Sequence, residues 1–423
     1  MQNTQAKGFE ALNVAPALCK RLFQLDITVP TPIQDAAIPI ALADGDMIGI
    51  AQTGTGKTLS FALPMIMRLR QGEVGLVLAP TRELAQQIAE TYSQLDCPCV
   101  LVIGGAPMNR QMHQLRGRYS VIVATPGRLL DHLNQGTVRL DRVAIVVLDE
   151  ADRMLDMGFA PAIKKILDLT PPKRQTLLFS ATMPKEIAEL ASRYLHNPKR
   201  VEIDRSGTAP ELVEQELIVV EHEDKQPLLK ELLDEHKGSV LVFARTRHGA
   251  RKLAKVVRAE GHSAAELHSD RTLAQRRAAL QGFKDGGYRV LVATDIAARG
   301  IDVKEISLVI NYDVPEKAED YLHRIGRTGR AGASGRAITL ANPQQSKDVR
   351  DIEKLLGNRL AVSRRTPAAR PAVAAAAIVA RPAAAVTSSE RPHRIFTPRP
   401  AAAPAKAGPR KQYWERPRRR RSA

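Results

Sequence analysis

The stretch MIGIAQTGTGKTLSFALPMIMRL, residues 47–69, brings together the features that decide the fold class. A short apolar run is followed by a loop rich in Gly and Thr, and a helical pattern of apolar residues begins directly after Lys57 and Thr58. This order of strand, loop, Lys-Thr pair and helix is typical of a phosphate-binding loop, whose backbone N–H groups approach phosphate oxygens closely. A flexible connection between two elements is the alternative. We expect Lys57 to meet the β- and γ-phosphates of a nucleotide and Thr58 to meet a magnesium ion.

Short β-branched runs and amphipathic segments alternate along most of the remaining chain. The runs form two series: GLVLAP, SVIVATP, AIVVLDEAD and QTLLFSAT, and then GSVLVFART, YRVLVATD, ISLVINYD and GRAITLA. Alternation of strands and helices at this spacing predicts parallel sheets with helices on both faces. Ligands of such sheets bind beyond the carboxyl ends of the strands, where the polar motifs of this sequence follow.

The domain organisation follows from length and charge, since 423 residues exceed what one hydrophobic core usually organises. We predict a first domain over residues 1–205, a linker over 206–212 and a second domain over 213–358. The stretch DRSGTAPELVEQ, which lacks an apolar period, marks the boundary. Residues 359–423 carry 16 Lys or Arg and two Glu, which is +14 of the net +18. Because this Pro- and Ala-rich tail has few large apolar residues, we predict that it is disordered.

Composition also restricts the class of protein. The three cysteines cannot form a disulfide scaffold, and the Cys-Pro-Cys segment lacks the spacing of a zinc site. No apolar run approaches the roughly 20 residues that span a bilayer, and the N-terminus lacks a basic segment followed by an apolar one. We expect a cytoplasmic protein with reduced thiols and no contact with a membrane.

A cluster of carboxylates follows the apolar run AIVVL, residues 144–148, in the stretch AIVVLDEADRML. Asp149, Glu150 and Asp152 would raise one another's pKa unless cations lie among them. A nucleotide bound at the phosphate loop would bring such a cation. We expect Asp149 to hold Mg²⁺ through water and Glu150 to orient and deprotonate the attacking water. The alternative is a solvated acidic loop.

Eight motifs in a fixed order resemble those of the DEAD-box ATP-dependent RNA helicases. They are PTPIQ ending at Gln34, AQTGTGKT at 51–58, PTRELA at 80–85, TPGR at 125–128, DEAD at 149–152, SAT at 180–182, ARGID at 298–302 and HRIGRTGR at 323–330. The resemblance implies two tandem RecA-like domains, ATP and Mg²⁺ as cofactors, and RNA-stimulated ATP hydrolysis. The basic tail after a minimal core is most similar to the bacterial RhlE-type branch.

The resemblance also assigns the nucleotide site. It implies ATP contacts from Phe9, Gln34, Ala51, Gln52, Thr53, Gly54, Thr55, Gly56, Lys57, Thr58, Asp302, Arg327 and Arg330, with Thr58 and Asp149 at the metal. Lys57, Glu150, Arg327 and Arg330 are the implied catalytic residues. The Gln34 amide can bond the N6 and N7 of adenine but not the corresponding edge of guanine. Since the two arginines lie on the second domain, hydrolysis would wait for closure of the domains. Phe9 has an alternative as an ordinary core residue.

Two further sets of residues follow from the same resemblance. Asp152, Ser180, Thr182 and His323 are implied to link the nucleotide to the domain interface. The implied RNA contacts are Pro80, Thr81, Arg82, Gly104, Gly105, Thr125, Pro126, Gly127, Arg128, Arg245, Thr246, Arg276, Thr294, Arg299 and Gly300. These are small, hydroxyl and arginine residues, so we expect them to bind phosphates and sugars without reading bases. For any one of these loops, ordinary helix caps and turns are the alternative.

The sequence departs from the family pattern at two places. Asp26 and Ile27 stand where the family has Gly and an aromatic residue before the PTPIQ motif, which predicts weaker ATP binding. Leu273 stands where the family has Gln, three residues before Arg276, and Gln275 would face elsewhere on a helix. We therefore expect a weaker link between RNA binding and closure.

The function expected from these observations is that of a clamp. ATP and single-stranded RNA bind across the two domains, closure bends the strand, and a short duplex separates locally. Two alternatives stay open: a DNA-directed helicase of the same superfamily, and a non-enzymatic RNA chaperone whose tail anneals strands. Dependence on the 2′-hydroxyl separates RNA from DNA. We expect a monomer; ribosomal particles or RNA-decay proteins are open as partners.

Overall fold

Two parallel sheets of seven strands each organise the chain. The computed structural model describes residues 8–51, 54–203, 213–298, 306–329, 334–363 and 365. The first sheet contains β1 Met47–Ile50, β2 Val74–Leu78, β3 Cys99–Val102, β4 Val121–Ala124, β5 Val143–Leu148, β6 Gln175–Ser180 and β7 Lys199–Glu202. The second contains β8 Val213–Val219, β9 Val240–Phe243, β10 Ala264–Leu267, β11 Val290–Ala293, β12 Leu308–Asn311, β13 Gly335–Ala341 and β14 Ala361–Ser363. We call the chain up to β7 the first half and the chain from β8 the second half.

Helices cover both faces of each sheet. The first half has α1 Pro16–Gln24, α2 Pro32–Leu42, α3 Lys57–Arg68, α4 Arg82–Gln94, α5 Met108–Leu115, α6 Pro126–Asn134, α7 Ala151–Asp156, α8 Ala160–Asp168 and α9 Lys185–Tyr194. The second half has α10 Lys225–Glu235, α11 Arg247–Ala259, α12 Leu273–Lys284, α13 Asp295–Ala298, α14 Ala318–Ile325 and α15 Ser346–Leu356. Short 3₁₀ helices occupy Phe9–Leu12, His222–Asp224 and Pro343–Gln345. In the parts of the chain given above, no helix is long and apolar enough to cross a membrane.

The two halves share one strand order although their sequences do not repeat. The first sheet runs β3-β4-β2-β5-β6-β1-β7 and the second runs β10-β11-β9-β12-β13-β8-β14, which is the same order with every number raised by seven. All the strand pairs are parallel, so the carboxyl ends of the strands in each sheet meet along one edge. Both sheets belong to one compact unit. This confirms the predicted fold of two mostly parallel sheets with helices on both faces.

The central strands are buried because helices cover them from both sides. Every residue of β2 and of β6 is buried, and such strands read as continuous apolar runs rather than alternating ones. Each sheet carries one apolar cluster on each face. Gly49 in β1 lets the ring of Phe179 lie against the backbone, since a Cβ there would stand 2.7 Å from the ring. Phe179 in turn packs against Phe61 of α3, which fixes the helix that follows the phosphate loop.

Eight strands predicted from the sequence are present, and five others were missed. Four of the missed strands, β3, β7, β10 and β14, are the edges of the two sheets. An edge strand is covered less completely, so its sequence carries polar residues, as in the KRVE of β7. The fifth, β8, begins at Val213, within the stretch DRSGTAPELVEQ that we interpreted as a linker signal. The predicted linker, 206–212, lies outside the described residues, so the boundary stays a prediction.

The predicted start of the tail at residue 359 is wrong. Leu360 is buried at 6% exposure in an apolar cluster of the second half. Ala361–Ser363 then pair with β8 as the last strand of the sheet, and Arg365 forms an ion pair with Glu235. The sequence hid this because the segment has one large apolar residue and three short ones before Arg364. Residues 366–423, for which disorder was predicted, lie outside the described residues.

This boundary predicts where the chain can be shortened. Ending it at Asn358 should lower the free energy of unfolding of the second half by about 2 to 4 kcal/mol, because Leu360 and the β14 ladder are lost. Ending it at Arg365 should leave that free energy unchanged. Denaturant unfolding of the two shortened chains, followed by circular dichroism, measures the difference. Equal stabilities would show that β14 does not support the sheet.

Candidate active site

The phosphate loop joins β1 to α3 at the carboxyl edge of the first sheet. Gly54 and Gly56 have φ values of 89° and 90°, in the left-handed region that favours glycine. Lys57 is the first residue of α3 and is buried, and its Nζ donates a hydrogen bond to the Ala51 carbonyl (2.9 Å). Thr58 follows it, half-buried, in the first turn. The predicted contacts Gln52 and Thr53 lie outside the described residues.

Gln34 is tied to the phosphate loop before any nucleotide binds. Its Nε2 donates to the Gly56 carbonyl (2.9 Å), and its Oε1 accepts from the Thr31 N–H (2.9 Å) as part of a capping box at the start of α2. A Cβ at Gly56 would lie 2.5 Å from that Nε2, so only glycine allows this contact. An amide has two N–H groups and two lone pairs on its oxygen, so one donor and one acceptor remain for a base. The predicted recognition of adenine therefore fits the geometry.

Phe9, which the resemblance placed at the base, lies in the core. It is buried in the first apolar cluster, and Ile27 packs against the same cluster. This environment is the one that the alternative, an ordinary core residue, predicts. A role for Phe9 toward the nucleotide stays a prediction.

The carboxylate cluster lies where β5 meets the same edge of the sheet. Asp149 follows β5 directly, its backbone N–H donates to Leu78 of β2, and its Oδ1 accepts from the Glu150 N–H (3.0 Å). Glu150 has a φ of 52°, an uncommon value for a residue with a side chain. Burial raises the pKa of Asp149 to about 7, although Lys57 opposes this. Asp149 thus lacks enough positive charge around it.

Glu150 and Asp152 differ from Asp149 in their charged neighbours. Burial opposes ionisation of Glu150, yet Arg153, Lys57 and Arg327 together hold its pKa below the ordinary value. Burial likewise opposes ionisation of Asp152, and neighbouring cations and hydrogen bonds lower its pKa in the same way. Glu150 is therefore ready to accept a proton or to hold a water in its ionised form.

Asp152 connects the DEAD and SAT motifs. Its Oδ2 accepts hydrogen bonds from the Ala181 N–H (3.1 Å), the Thr182 N–H (2.9 Å) and the Thr182 hydroxyl (3.0 Å). The Asp152 N–H donates to the Ser180 hydroxyl (3.3 Å). His323 of α14 lies close enough to interact electrostatically with Asp152, and burial followed by Arg153 lowers the pKa of His323. The four residues predicted to link the nucleotide to the interface are thus brought together.

Arg327 carries a charge from the second half into this cluster. It is buried, its Nε donates to the His323 carbonyl (3.2 Å), and it lowers the pKa of Glu150 in the first half. The other predicted arginine, Arg330, and the predicted ribose contact, Asp302, lie outside the described residues. One of the two predicted arginines therefore reaches the carboxylate that the sequence paired with it.

The residues at this edge suit Mg²⁺ in the way that nucleotide-dependent enzymes bind it. Asp149 supplies a carboxylate and Thr58 a hydroxyl, which are hard oxygen ligands. The described part of the chain contains no group of three or more His, Cys, Asp or Glu that could hold a metal alone. Mg²⁺ commonly uses one or two protein oxygens together with phosphate oxygens and waters, so this donor set fits it. The pKa of Asp149 near 7 is the signature of a carboxylate that lacks a neighbouring cation.

Three loops of the first half that were predicted to bind RNA lie side by side. They follow β2, β3 and β4, which are neighbours in the sheet. Arg82 covers the glycine pair, since a Cβ at Gly104 would lie 3.2 Å from its Nη2 and a Cβ at Gly105 nearer still to Nη1. Arg128 Nη1 donates to the Ala106 carbonyl (3.1 Å). The remaining predicted residues are at the helix starts: Pro80 and Thr81 before α4, and Thr125, Pro126 and Gly127 at α6.

The predicted RNA residues of the second half divide into three groups. Arg245 and Thr246 are exposed at the start of α11, where the Arg245 N–H donates to Asp313 Oδ2 (2.9 Å). Thr294 lies half-buried before α13. Arg299 and Gly300 lie outside the described residues.

Arg276 is placed differently from the prediction. Its Nη2 lies 2.8 Å from Glu83 Oε2 in α4 of the first half, and both side chains are less than a tenth exposed. The structure gives this arginine a carboxylate partner in place of an open position toward RNA. The pairing was invisible in the sequence because the two residues are far apart along the chain. Gln275 faces away, as predicted, and caps α12 through Thr272.

Sequence reasoning missed Arg153, the residue after the DEAD motif. Its side chain is 1% exposed, and its Nε lies 3.6 Å from Glu150 Oε2. The guanidinium is the strongest of the charged neighbours that lower the pKa of Glu150. A buried arginine within three residues of a buried carboxylate is the signal that could have identified it.

Two parallel α/β units, with a phosphate loop and carboxylates on one and an arginine reaching in from the other, define a nucleotide-hydrolysing protein whose site is shared between two domains. Comparison with known proteins agrees. Residues 31–190 match the family described as DEAD/DEAH box helicase, and residues 224–332 match the helicase conserved C-terminal domain.

Individual relatives and structures support the same family. The chain is 43% identical over 363 residues to the ATP-dependent rRNA helicase RRP3 of Debaryomyces hansenii, covering 84% of this chain and 76% of that protein. It is 41% identical over 360 residues to the ATP-dependent RNA helicase CshA of Listeria monocytogenes, with 83% and 69% covered. Dbp5 of S. cerevisiae, solved with RNA and ADP BeF3, superimposes with a TM-score of 0.78 at 31% identity, covering 85% of this chain and 96% of that one. The chain therefore belongs to the DEAD-box ATP-dependent RNA helicases, with two tandem RecA-like domains.

The geometry of Gln34 predicts the effect of replacing it. Gln34→Ala should raise the Michaelis constant for ATP and reduce the preference for ATP over GTP by about 1 to 3 kcal/mol, because the amide that contacts adenine is lost. Gln34→Glu should behave similarly, since a carboxylate can still accept from Thr31 but cannot donate to Gly56. Steady-state hydrolysis of ATP and GTP by the three proteins measures this. A wild type that hydrolyses both nucleotides equally well would contradict the assignment.

Proposed function

We propose that the protein is an RNA-stimulated clamp, which closes on ATP and single-stranded RNA and separates short duplexes locally. RNA binds to backbone-contacting loops of both halves, without regard to base sequence. The bent strand held between the halves cannot stay paired with its complement. Hydrolysis of ATP and release of phosphate then reopen the clamp.

One observation carries the proposal most directly, the approach of Arg327 from the second half to Glu150 in the first. An arginine that stabilises the charge of a transferring phosphoryl group can raise the rate by roughly 10³ to 10⁵. Because Lys57 and Arg327 stand on opposite halves, both can act on one phosphate only when the halves are closed. Binding energy from RNA can therefore be used to assemble the catalytic site.

The chemistry of the proposed step follows from the first-half residues. Ionised Glu150 orients the attacking water and accepts its proton, while Lys57 and Arg327 stabilise charge on the β- and γ-phosphates. Mg²⁺ bound by Asp149 and Thr58 would neutralise phosphate charge. Asp152, through Thr182 and Ser180, would transmit the state of the phosphate site to His323 and the second half.

Several finer features are part of the proposal. The basic composition of residues 366–423, with 13 Lys or Arg against two Glu, supports the RhlE-type branch and additional attraction for RNA. A monomer in the cytoplasm is proposed, where the free thiols of Cys19, Cys97 and Cys99 stay reduced. Ribosomal particles and RNA-decay proteins are the partners to examine first.

The experiment that tests the function is ATP hydrolysis by the full chain with single-stranded RNA, with DNA of the same sequence and without nucleic acid. RNA of any sequence should stimulate the rate several-fold and DNA should not, because the family distinguishes the two through the 2′-hydroxyl. Equal stimulation by DNA would favour the DNA-directed alternative. Absence of hydrolysis under all three conditions would favour the non-enzymatic chaperone.

Glu150→Gln separates binding from chemistry. The variant should lose turnover by at least about 10²-fold, because the general base is removed, while ATP and RNA stay bound. Fluorescence anisotropy with labelled RNA in the presence of ATP should show affinity equal to or greater than that of the wild type. Near-normal hydrolysis would remove Glu150 from the mechanism.

A further inference from the structure

The two halves meet at a second place, away from the phosphate loop. There α12 of the second half lies against α4 of the first. Leu273, Arg276 and Arg277 are spaced three and four residues apart, so they share one face of α12. Glu83 and Gln86 form the matching face of α4. We call these five residues the helix contact.

Each residue of α12 in the helix contact meets the first half differently. Arg276 pairs with Glu83 at 2.8 Å, with both side chains nearly buried. Arg277 Nε donates to Gln86 Oε1 at 2.7 Å on the exposed side. Leu273 packs against the first apolar cluster, which includes Ala85 and Ile88 of α4. The contact is therefore apolar at one end and charged at the centre.

The rest of the two helices does not touch closely. Beyond Arg277, a cavity of about 350 Å³ separates α12 from α4, with Gln87 and Glu90 on one wall and Leu280 and Lys284 on the other. The halves are thus joined here through a small set of side chains rather than a continuous interface. Removal of any one of them should be felt.

The charged and apolar parts of the helix contact contribute differently to closure. When the halves separate, Arg276 and Glu83 regain water, and the cost of removing two charges from water largely offsets their attraction. Leu273 gains free energy on closing because apolar surface leaves water, about 1.5 to 3 kcal/mol for full burial and less for this half-buried side chain. A glutamine at this position would give no such gain. The apolar contact needs neither RNA nor nucleotide.

We propose that Leu273 is a positioning residue that sets how far ATP hydrolysis depends on RNA. By favouring closure without RNA, it raises the basal rate of hydrolysis and lowers the ratio of stimulated to basal rate. This reverses the expectation from the sequence that the loss of glutamine weakens coupling only by removing a contact. The inference rests on the proposed function, because it requires that closure limits hydrolysis.

The test compares Leu273→Gln with the wild type in the full chain. Basal hydrolysis without RNA should fall about three- to tenfold, the factor that corresponds to roughly half of a buried leucine. At saturating RNA, kcat should stay within twofold, because RNA then supplies the free energy of closure. The matched control is Ala274→Gln, on the exposed neighbouring position of the same helix, which should change neither rate.

The outcomes are separable. An unchanged basal rate in Leu273→Gln would overturn the proposal, and so would an equal loss of basal and stimulated rates, which indicates a merely structural role. A thermal melt that matches the wild type excludes misfolding as the cause of a selective basal loss. If the wild type shows no hydrolysis with RNA, the proposed function itself fails, and the role of Leu273 fails with it.

Discussion

Three carboxylates buried at the end of one strand create the constraint on which the rest of the site depends. Asp149, Glu150 and Asp152 cannot stay ionised together without positive charge nearby. The first half supplies Lys57 and Arg153, and the second half supplies Arg327. Asp149 is left with a pKa near 7. The site therefore has room for the positive charge that a metal-bound nucleotide brings, and it draws on both halves to be complete.

The repeated strand order explains how this constraint is met. Both sheets collect their loops at the carboxyl ends of parallel strands, so motifs distant in sequence become neighbours. In the first half, the order β3-β4-β2-β5-β6-β1 places the RNA loops after β3, β4 and β2 beside the carboxylates after β5 and the phosphate loop after β1. Asp152 then bridges to the loop after β6. RNA and nucleotide are thus served by adjacent loops of one sheet edge.

What the sequence could predict depended on how local the determining interactions are. The phosphate loop, the carboxylates after β5 and the buried central strands are written in consecutive residues, and they were predicted correctly. The edge strands, the partner of Arg276 and the anchoring of Gln34 by Gly56 depend on contacts across long separations. Arg153 looked like any exposed helix residue until its burial was known. Polar residues become informative only when their surroundings are defined.

The two contacts between the halves differ in what they require. Arg327 approaches Glu150 through charge, and this attraction becomes useful for catalysis only when phosphates lie between the halves. The contact of Leu273 with the first apolar cluster involves no ligand and acts equally in every nucleotide state. A ligand shifts an equilibrium only by its different affinity for the two states. It follows that nucleotide and RNA act through the charged site, while the apolar contact sets the starting point from which they act.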